Sequence, residues 1–529
     1  MAKKYDAVVC GAGNSGISAA VQLALNGKKV LLIEQHNMPG GSASSFRRGR
    51  FEIEPSLHEL CDVGPTSDPG DVRKLFDAYG IKIDWNECPD CFRVISKWSD
   101  DGLRMDVTMP HGIDNFINAM EKYVPGSKPK MEQLFELFDE VLAGIGYISS
   151  ANGNPDSNVL KSKYPNLLRT GAYPTQKVFD ALKLPKRCQD ILQTYWGYLG
   201  TDMEHLSFIH YAAMVHKYVS RGAYIPTYTS HEISSAFIER FRELGGEVWY
   251  NCRLEKILFD GDKVCGVETS LGKVECDFCL PNVNSNIVYG KMVPKELVPE
   301  RMKKLSTARK ATFGGRMMTA YFCLDKTPEE LGIKDYSIFF AGGCDSLKEY
   351  NGMLEGGDNN QFVIFLCYNI ANKKASPEGT CICSFTSFAS PKDWDDLSQE
   401  DYFKYKNTWA NKWLDRLRDE AGIDLRGHIE EMSVASPWTF ARYLGNPEGS
   451  VYGHETRDAD SMMARLQSLG TDYPLKGLRP IGADGPRGDG YSAAYICGQL
   501  MANLATKDMK EWAEAAKAPA AESSKGGDA

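Results

Sequence analysis

Apolar residues along the chain alternate between strand and helix periods. Asp6–Cys10 is a short apolar run, and Ile17–Leu25 is small and apolar at the helical period until Asn26-Gly27 stops it. Lys29–Ile33 is a second apolar run, so the chain opens strand, helix, strand. Beyond residue 61, strand-like stretches (Ile81–Trp85, Phe92–Lys97, Leu103–Met109) give way to helical patterns such as Met131–Ile148 and Gln176–Leu182. An aromatic and apolar run then extends from Tyr195 through Phe208 to Val219. His231–Leu244 predicts an amphipathic helix ended by Gly245-Gly246. Val248–Asn251, Leu254–Phe259, Lys263–Thr269 and Lys273–Leu280 predict strands, the last three joined by tight turns. Residues 291–474 are again β-rich (Arg316–Asp325, Ser337–Ala341, Gln361–Ile370, Thr380–Ala389) and suggest an antiparallel sheet. Helix Asp401–Ala421 follows, with Trp409, Trp413 and Leu417 on one face. Leu478–Ile481 predicts a last strand before a glycine loop and a closing helix, and residues 511–529 read as a disordered tail.

The first strand–helix junction carries chemistry. Gly11, Gly13 and Gly16 stand at GxGxxG spacing between the strand and the helix, with Glu34 at the end of the second strand. Gly11 makes the tight turn, Gly13 admits a pyrophosphate to the backbone, and Gly16 lets helix and strand pack closely. The helix N-terminus, including Ser15, offers N–H groups and a positive dipole end to phosphate. Glu34 can accept both hydroxyls of an adenosine ribose. A dinucleotide site is expected; an ordinary α/β glycine turn is the bland alternative.

Length and composition narrow the class. A chain of 529 residues can bury a large core and hold two interleaved domains. A net charge of −9 with no basic block argues against a nucleic-acid partner. No apolar run approaches the roughly 20 residues of a membrane span. The N-terminus enters the first strand at once, so a cytoplasmic protein without a signal peptide is expected. Fifteen cysteines, scattered through apolar strands, suit a reducing compartment. The CxxC pairs Cys88/Cys91 and Cys276/Cys279 are expected to be buried thiols, not zinc ligands or a redox pair, so no metal is expected.

The loop after Glu34 contains a second glycine pair, Gly40-Gly41, followed by Ser42. This resembles the extended FAD fingerprint of the glutathione-reductase-type flavoproteins. Residues 40–58 resemble the GGxxxSFxxxGYxFDxGxH pattern of the phytoene desaturase, carotenoid isomerase and retinol saturase family: Gly40-Gly41, Ser45-Phe46, Gly49, Phe51 and His58. Ser42 stands where many members have arginine, Glu54 where they have aspartate, and Ser56 where they have glycine. Ser436–Glu455, SPWTFARYLGNPEGSVYGHE, resembles the family's TPxTxxRYxGxPxGSxYG segment. Thr227-Tyr228-Thr229-Ser230 departs from it, since relatives carry a glycine pair after the proline matching Pro226.

The resemblance implies an α/β fold: a glutathione-reductase-type FAD (Rossmann-like) domain with an interleaved α+β substrate domain. It places the FAD-binding domain at 1–72, 222–290 and 475–510, and the substrate-binding domain at 73–221 and 291–474. The family's adenine contact falls on Leu254. Its last strand lies beside the first, and its ribitol contact falls on Asp484, after Gly482. The closing helix then begins near Gly490 and Tyr491, facing the flavin pyrimidine, where its dipole would stabilise negative charge on reduced flavin. The plainer role for Asp484 is that of a turn former.

The implied chemistry is hydride exchange between FAD and a carbon–carbon double bond of a polyene, isoprenoid or other lipid-like substrate, in saturation, desaturation or isomerisation. A flavoprotein amine oxidase and a non-catalytic prenyl-lipid carrier share the fold and are the alternatives. No second GxGxxG follows a strand, so an external electron donor or acceptor is expected, and peripheral membrane contact would deliver the substrate. His58 is the first catalytic candidate, able to move a proton near neutral pH, and Tyr198 the second. The plainer roles are a structural hydrogen bond for His58 and a core helix for the aromatic run; His210 and His216 are expected to hydrogen-bond structurally.

Overall fold

The computed structural model describes residues 4–310, 314–456, 460–470 and 475–515. The opening strand–helix–strand forms as expected: Tyr5–Cys10, Asn14–Leu25 and Val30–Ile33. These strands sit inside a six-stranded sheet. Its order is Glu247–Trp249, Val30–Ile33, Tyr5–Cys10, Gly272–Pro281, Lys263–Thr269, Leu254–Asp260. The first four are mutually parallel and the last two antiparallel. Strands buried on both faces need continuous apolar sequence, and Val30–Ile33 is buried throughout.

The closing helix Tyr491–Ala515 packs on helix Asn14–Leu25 at very short range. Gly498 makes this approach possible, since a Cβ there would lie 2.2 Å from the Ser15 carbonyl oxygen. Helix Ser230–Glu243 covers the same face, with Phe237 stacked on Tyr495.

A seven-stranded sheet gathers two separate chain segments. Its order is Ile429–Ala435, Met317–Leu324, Cys381–Phe388, Val363–Cys367, Ser337–Phe340, Phe92–Lys97, Arg104–Met109. All pairs are antiparallel except Ser337–Phe340 with Phe92–Lys97. Helix Gln399–Ala421 lays Trp409, Trp413 and Leu417 on one face of this sheet, and all three are buried. Burial of such side chains stabilises by about 1.5–3 kcal/mol each.

Four expectations change. Ile81–Trp85 is not a strand. Helix Asp71–Tyr79 ends at Gly80 in the left-handed region, Ile81 N–H caps it by bonding the Phe76 carbonyl, and the strand is Trp85–Glu87. Gln361–Ile370 is a strand only over Val363–Cys367 and then turns helical over Tyr368–Ala371. Leu478–Ile481 forms no regular strand; its pairing is limited to isolated bonds such as Arg479 N–H to the Cys279 carbonyl and Ile481 N–H to the Pro281 carbonyl. It lies beside Gly272–Pro281, through a single bridge of Leu478 to Cys279, and not beside the first strand. Residues 511–515 belong to the closing helix, where Trp512 stacks on Phe278 at 5.1 Å. The rest of the expected tail, 516–529, lies outside the described residues.

Candidate functional site

One cavity of about 710 Å³ runs through the molecule. Gly11, Gly13, Ser15, Glu34, Gly40, Gly41, Ser42, Leu254, Gly482, Asp484, Gly490 and Tyr491 all line it, and so do His58 and Tyr198. Gly16 does not line it. It acts through packing, since a Cβ there would meet the Gly11 carbonyl oxygen at 1.9 Å.

At one end the site is built from backbone. Gly13 caps helix Asn14–Leu25 with no side chain on the first-turn N–H groups. Ser15 Oγ is buried and has no hydrogen-bond partner among the described residues. The second glycine turn lies directly against the first: Gly40 N–H donates to the Ala12 carbonyl at 2.9 Å, and a Cβ at Gly41 would come 3.3 Å from Gly13 Cα. Asn282 joins the two halves, a role the spacing of motifs did not signal. A Cβ at Gly13 would lie 2.9 Å from its Nδ2, and one at Gly482 would lie 2.5 Å from its Oδ1. Glu34 is 7% exposed; its Oε2 accepts from Ala12 N–H at 2.6 Å and its Oε1 from His36 N–H at 2.9 Å. Cys252 N–H donates to the Glu34 carbonyl, which brings Leu254 to the same end.

Asp484 is heavily engaged. Its Oδ2 accepts from Ser285 N–H and Oγ, both at 2.9 Å, and its Oδ1 lies 2.7 Å from His454 Nδ1. Burial alone would raise this carboxyl. Arg309 and His454 outweigh that and hold it well below the usual carboxylate range. It is therefore a fixed anion that shapes the loop. Gly490, at φ +89°, leads into the closing helix, and a Cβ there would meet nothing.

The departures from the motif are physically linked. Ser56 Oγ donates to the Ser42 carbonyl at 2.7 Å and lies 2.9 Å from the Tyr491 hydroxyl, so it ties the second glycine turn to the closing helix. Glu54 accepts from Leu57 N–H at 2.9 Å, and from Ser230 N–H at 2.7 Å and Ser230 Oγ at 2.9 Å. It thereby serves the N-terminus of helix Ser230–Glu243. Just before that helix, Thr229 adopts φ +96°, a conformation suited to glycine.

At the other end the walls are side chains. Tyr198, Leu199, Ile209, Ala213, Met214 and Tyr218 line the cavity, while Phe208, Tyr211 and Val215 face the core. The aromatic run is thus both core helix and cavity wall. His210 Nδ1 lies 2.8 Å from Thr456 Oγ1, and His216 Nε2 lies 2.8 Å from Asp139, so both are held structurally.

His58 Nε2 lies 3.1 Å from Thr386 Oγ1. Burial lowers its pKa to about 4, so it is neutral at pH 7. That corrects the expectation that His58 titrates near neutrality. Its neighbour Glu59, which sequence reasoning passed over, does so instead. Glu59 is 5% exposed, its Oε1 accepts from the Tyr198 hydroxyl at 3.0 Å, and burial pushes its pKa up to about 8 against that hydrogen bond. Its Oε2 is buried and has no partner among the described residues. A glutamate in an apolar run is the signal that could have found it.

Away from the cavity, the thiols of Cys367, Cys381 and Cys383 lie within 4.8 Å of one another in the core of the seven-stranded sheet.

The chain matches the flavin containing amine oxidoreductase family over residues 14–405. It belongs to that family. It is 25% identical to the all-trans-retinol 13,14-reductase of Rattus norvegicus over 91% of this chain and 82% of the relative. It is 23% identical to prolycopene isomerase 2, chloroplastic, of an Oncidium hybrid cultivar over 96% of this chain and 85% of that one. It is 22% identical to the 1-hydroxycarotenoid 3,4-desaturase of Flavobacterium sp. (strain P99-3) over 94% and 98%. Among solved structures, an oxidoreductase from Methanosarcina mazei superimposes with a TM-score of 0.63 at 12% identity, covering 95% of this chain and 100% of that chain. Cyclohexylamine oxidase from Brevibacterium oxydans does so with 0.62 at 13%, covering 96% and 100%. The fold is that of these flavoproteins, and the expected cofactor is FAD. The residues present fit it: a helix N-terminus with no side-chain cap, a buried Ser15 hydroxyl without an oxygen or nitrogen partner among the described residues, and two glycine turns in contact.

Proposed function

We propose that the protein is an FAD-dependent oxidoreductase that acts on a carbon–carbon double bond of an apolar polyene, isoprenoid or similar lipid. The observation that carries this reading is the continuity of one cavity, from the glycine turns to a wall of aromatic and aliphatic side chains. Gly11, Gly13, Ser15 and Gly41 would take the pyrophosphate, Glu34 the adenosine ribose, and Leu254 the adenine edge. Asp484, Gly490 and Tyr491 would flank the ribitol and flavin. Glu34 must then exchange its Ala12 bond for, or share it with, the ribose hydroxyls. When bound, FAD supplies hydride exchange with carbon; the protein holds the substrate, excludes water and moves the proton. Relatives named as a reductase, an isomerase and a desaturase support the substrate class.

The division into an FAD-binding part (1–72, 222–290, 475–510) and a substrate part (73–221, 291–474) belongs to the same reading. Membership of the two large sheets supports it. An external electron donor or acceptor completes the reaction. No helix among the described residues is long and apolar enough to cross a membrane, so lipid would be reached by peripheral contact. A cytoplasmic setting agrees with the fifteen free cysteines, fourteen of which are buried.

The test is direct. Protein reduced without air is mixed with retinoid and carotenoid polyenes, and products are read by mass and by loss of conjugated absorbance. A polyene changed by two hydrogens, or by geometry alone, supports the reading. Peroxide formed from amines in air, with every polyene unchanged, supports an amine oxidase instead. Purified protein with no flavin absorbance would support the lipid carrier.

A further inference from the structure

Hydride addition to a double bond needs a proton for the neighbouring carbon, and the cavity contains a group placed to give it. We propose that Glu59 is the proton donor of this site, supplying the proton that accompanies hydride addition to a double bond. This rests on the reading of a flavoenzyme acting on a polyene.

Glu59 lines the cavity beside His58 and Tyr198. One carboxyl oxygen accepts from the Tyr198 hydroxyl at 3.0 Å, and the other is buried without a partner among the described residues. The backbone on either side is pinned: the Tyr336 hydroxyl donates to the His58 carbonyl, and the Tyr218 hydroxyl donates to the Glu59 carbonyl at 3.2 Å. A carboxyl held this way can keep a proton on its free oxygen and present it at one place.

The groups that face Glu59 leave it in the acid form. They are Cys61, Cys88, Cys91, Tyr195, Tyr198, Tyr218 and Tyr336, each raised by burial and so neutral at pH 7. His58 is neutral as well. Lys217, the cation that acts on Cys61 in this group, is paired with Asp62. Among the described residues no cation is paired with Glu59, and a buried carboxylic acid needs none and can donate.

One carbon of the double bond receives a hydride, two electrons and one proton, from the reduced FAD. The π pair forms a new C–H bond with the Glu59 proton as the Oε2–H bond breaks. The product gains two hydrogens, Glu59 is left as a carboxylate to be reprotonated from solvent, and an external two-electron reductant restores the cofactor. Tyr198 is a positioning residue, since it acts only through Glu59.

Asp489 is the competing donor. It lines the same cavity, with Oδ1 3.7 Å from His210 Nε2, and burial raises its pKa to about 7.

The experiment uses the flavin-loaded full chain with all-trans-retinol as probe, comparing wild type with Glu59→Gln, Tyr198→Phe and Asp489→Asn. Infrared spectra between pH 6 and 9 should contain a carboxylic-acid carbonyl band that converts to carboxylate near pH 8 and is missing in Glu59→Gln. That readout needs no turnover. Glu59→Gln should lose at least roughly 100-fold in kcat with flavin content and KM nearly unchanged. Wild-type kcat should fall above pH 8, and Tyr198→Phe should move that limb to higher pH, because the lost hydrogen bond favoured the carboxylate. Glu59→Gln with more than half of wild-type kcat, or a loss confined to Asp489→Asn, overturns the assignment while leaving a polyene reductase in place. Wild type that leaves retinol and other polyenes unchanged overturns the functional reading itself. If Glu59→Gln does not fold, the infrared titration of wild type against Tyr198→Phe decides: the absence of a band titrating near pH 8, or one that Tyr198→Phe leaves unmoved, overturns the assignment.

Discussion

The two ends of the cavity are built in opposite ways. The phosphate end is backbone: helix N–H groups, glycines in close contact, and few side chains that could be exchanged. The reacting end is side chains drawn from distant parts of the chain: Glu59 meets Tyr198, His58 meets Thr386, and Tyr336 meets the His58 carbonyl. A backbone site tolerates almost no added atom. A side-chain site tolerates shape changes and is sensitive to protons. The difference separates binding from chemistry, and substitutions can test each half alone.

The largest effect is expected at Gly16. A Cβ would meet the Gly11 carbonyl oxygen at 1.9 Å, so Gly16→Val must shift the strand–helix junction. Flavin absorbance should be lost from the purified protein, with stability lowered by more than about 3 kcal/mol in chemical denaturation. A yellow, fully stable variant would mean that the junction is looser than this contact implies.

Glu59→Gln should do the reverse, keeping flavin and gaining stability. The folded carboxyl titrates near 8 and the unfolded one near the ordinary 4.5. The unfolded chain therefore gains by ionising from pH 4.5 upward, and the wild type loses stability progressively until about pH 8. At pH 7 that cost is about 3 kcal/mol. Glutamine escapes it, so the Tm advantage of the variant should be small at pH 4.5, grow to pH 8 and then level. His58 has the opposite sign: its buried neutral ring costs stability as pH falls from 6.5 to 4. An advantage that did not depend on pH would contradict an acid at Glu59.

The same contrast explains what the sequence made legible. Strand, glycine turn, helix and Glu34 are local, with spacing set by the chain itself, and they stand where the motif puts them. The sheet partner of Leu478–Ile481 was not legible, since long-range bonds to Cys279 and Pro281 decide it. Glu59 was hidden because its burial depends on Tyr198, 139 residues away, and on the walls around both. Asn282 was missed for the same reason: its role is contact with Gly13 and Gly482, which no spacing records. Glu54, Ser56 and the Thr227–Ser230 stretch, separate departures in the sequence, meet around helix Ser230–Glu243 and Tyr491.

Ser56 lies between the two ends and gives a smaller, sharper test. Ser56→Gly restores the family residue but removes the link between Ser42 and Tyr491. A loss of about 1–2 kcal/mol is expected in thermal or chemical unfolding, with a shift in the flavin spectrum. The smallest effect belongs to Thr229. Thr229→Gly relieves a positive φ but gives up the bond to Glu52 at 3.2 Å, so stability should rise by no more than about 1 kcal/mol. Thr229→Ala, which keeps the strain and loses the bond, should be less stable than either.

The claim that both ends serve one reaction is tested most directly by a single turnover without oxygen. Protein carrying fully reduced flavin is mixed with one equivalent of all-trans-retinol, and both chromophores are followed together. The oxidised-flavin band should return at the rate at which the polyene band disappears, with a product two hydrogens heavier. Flavin that stays reduced beside unchanged retinol and other polyenes, and is reoxidised only when air is admitted, would contradict the claim.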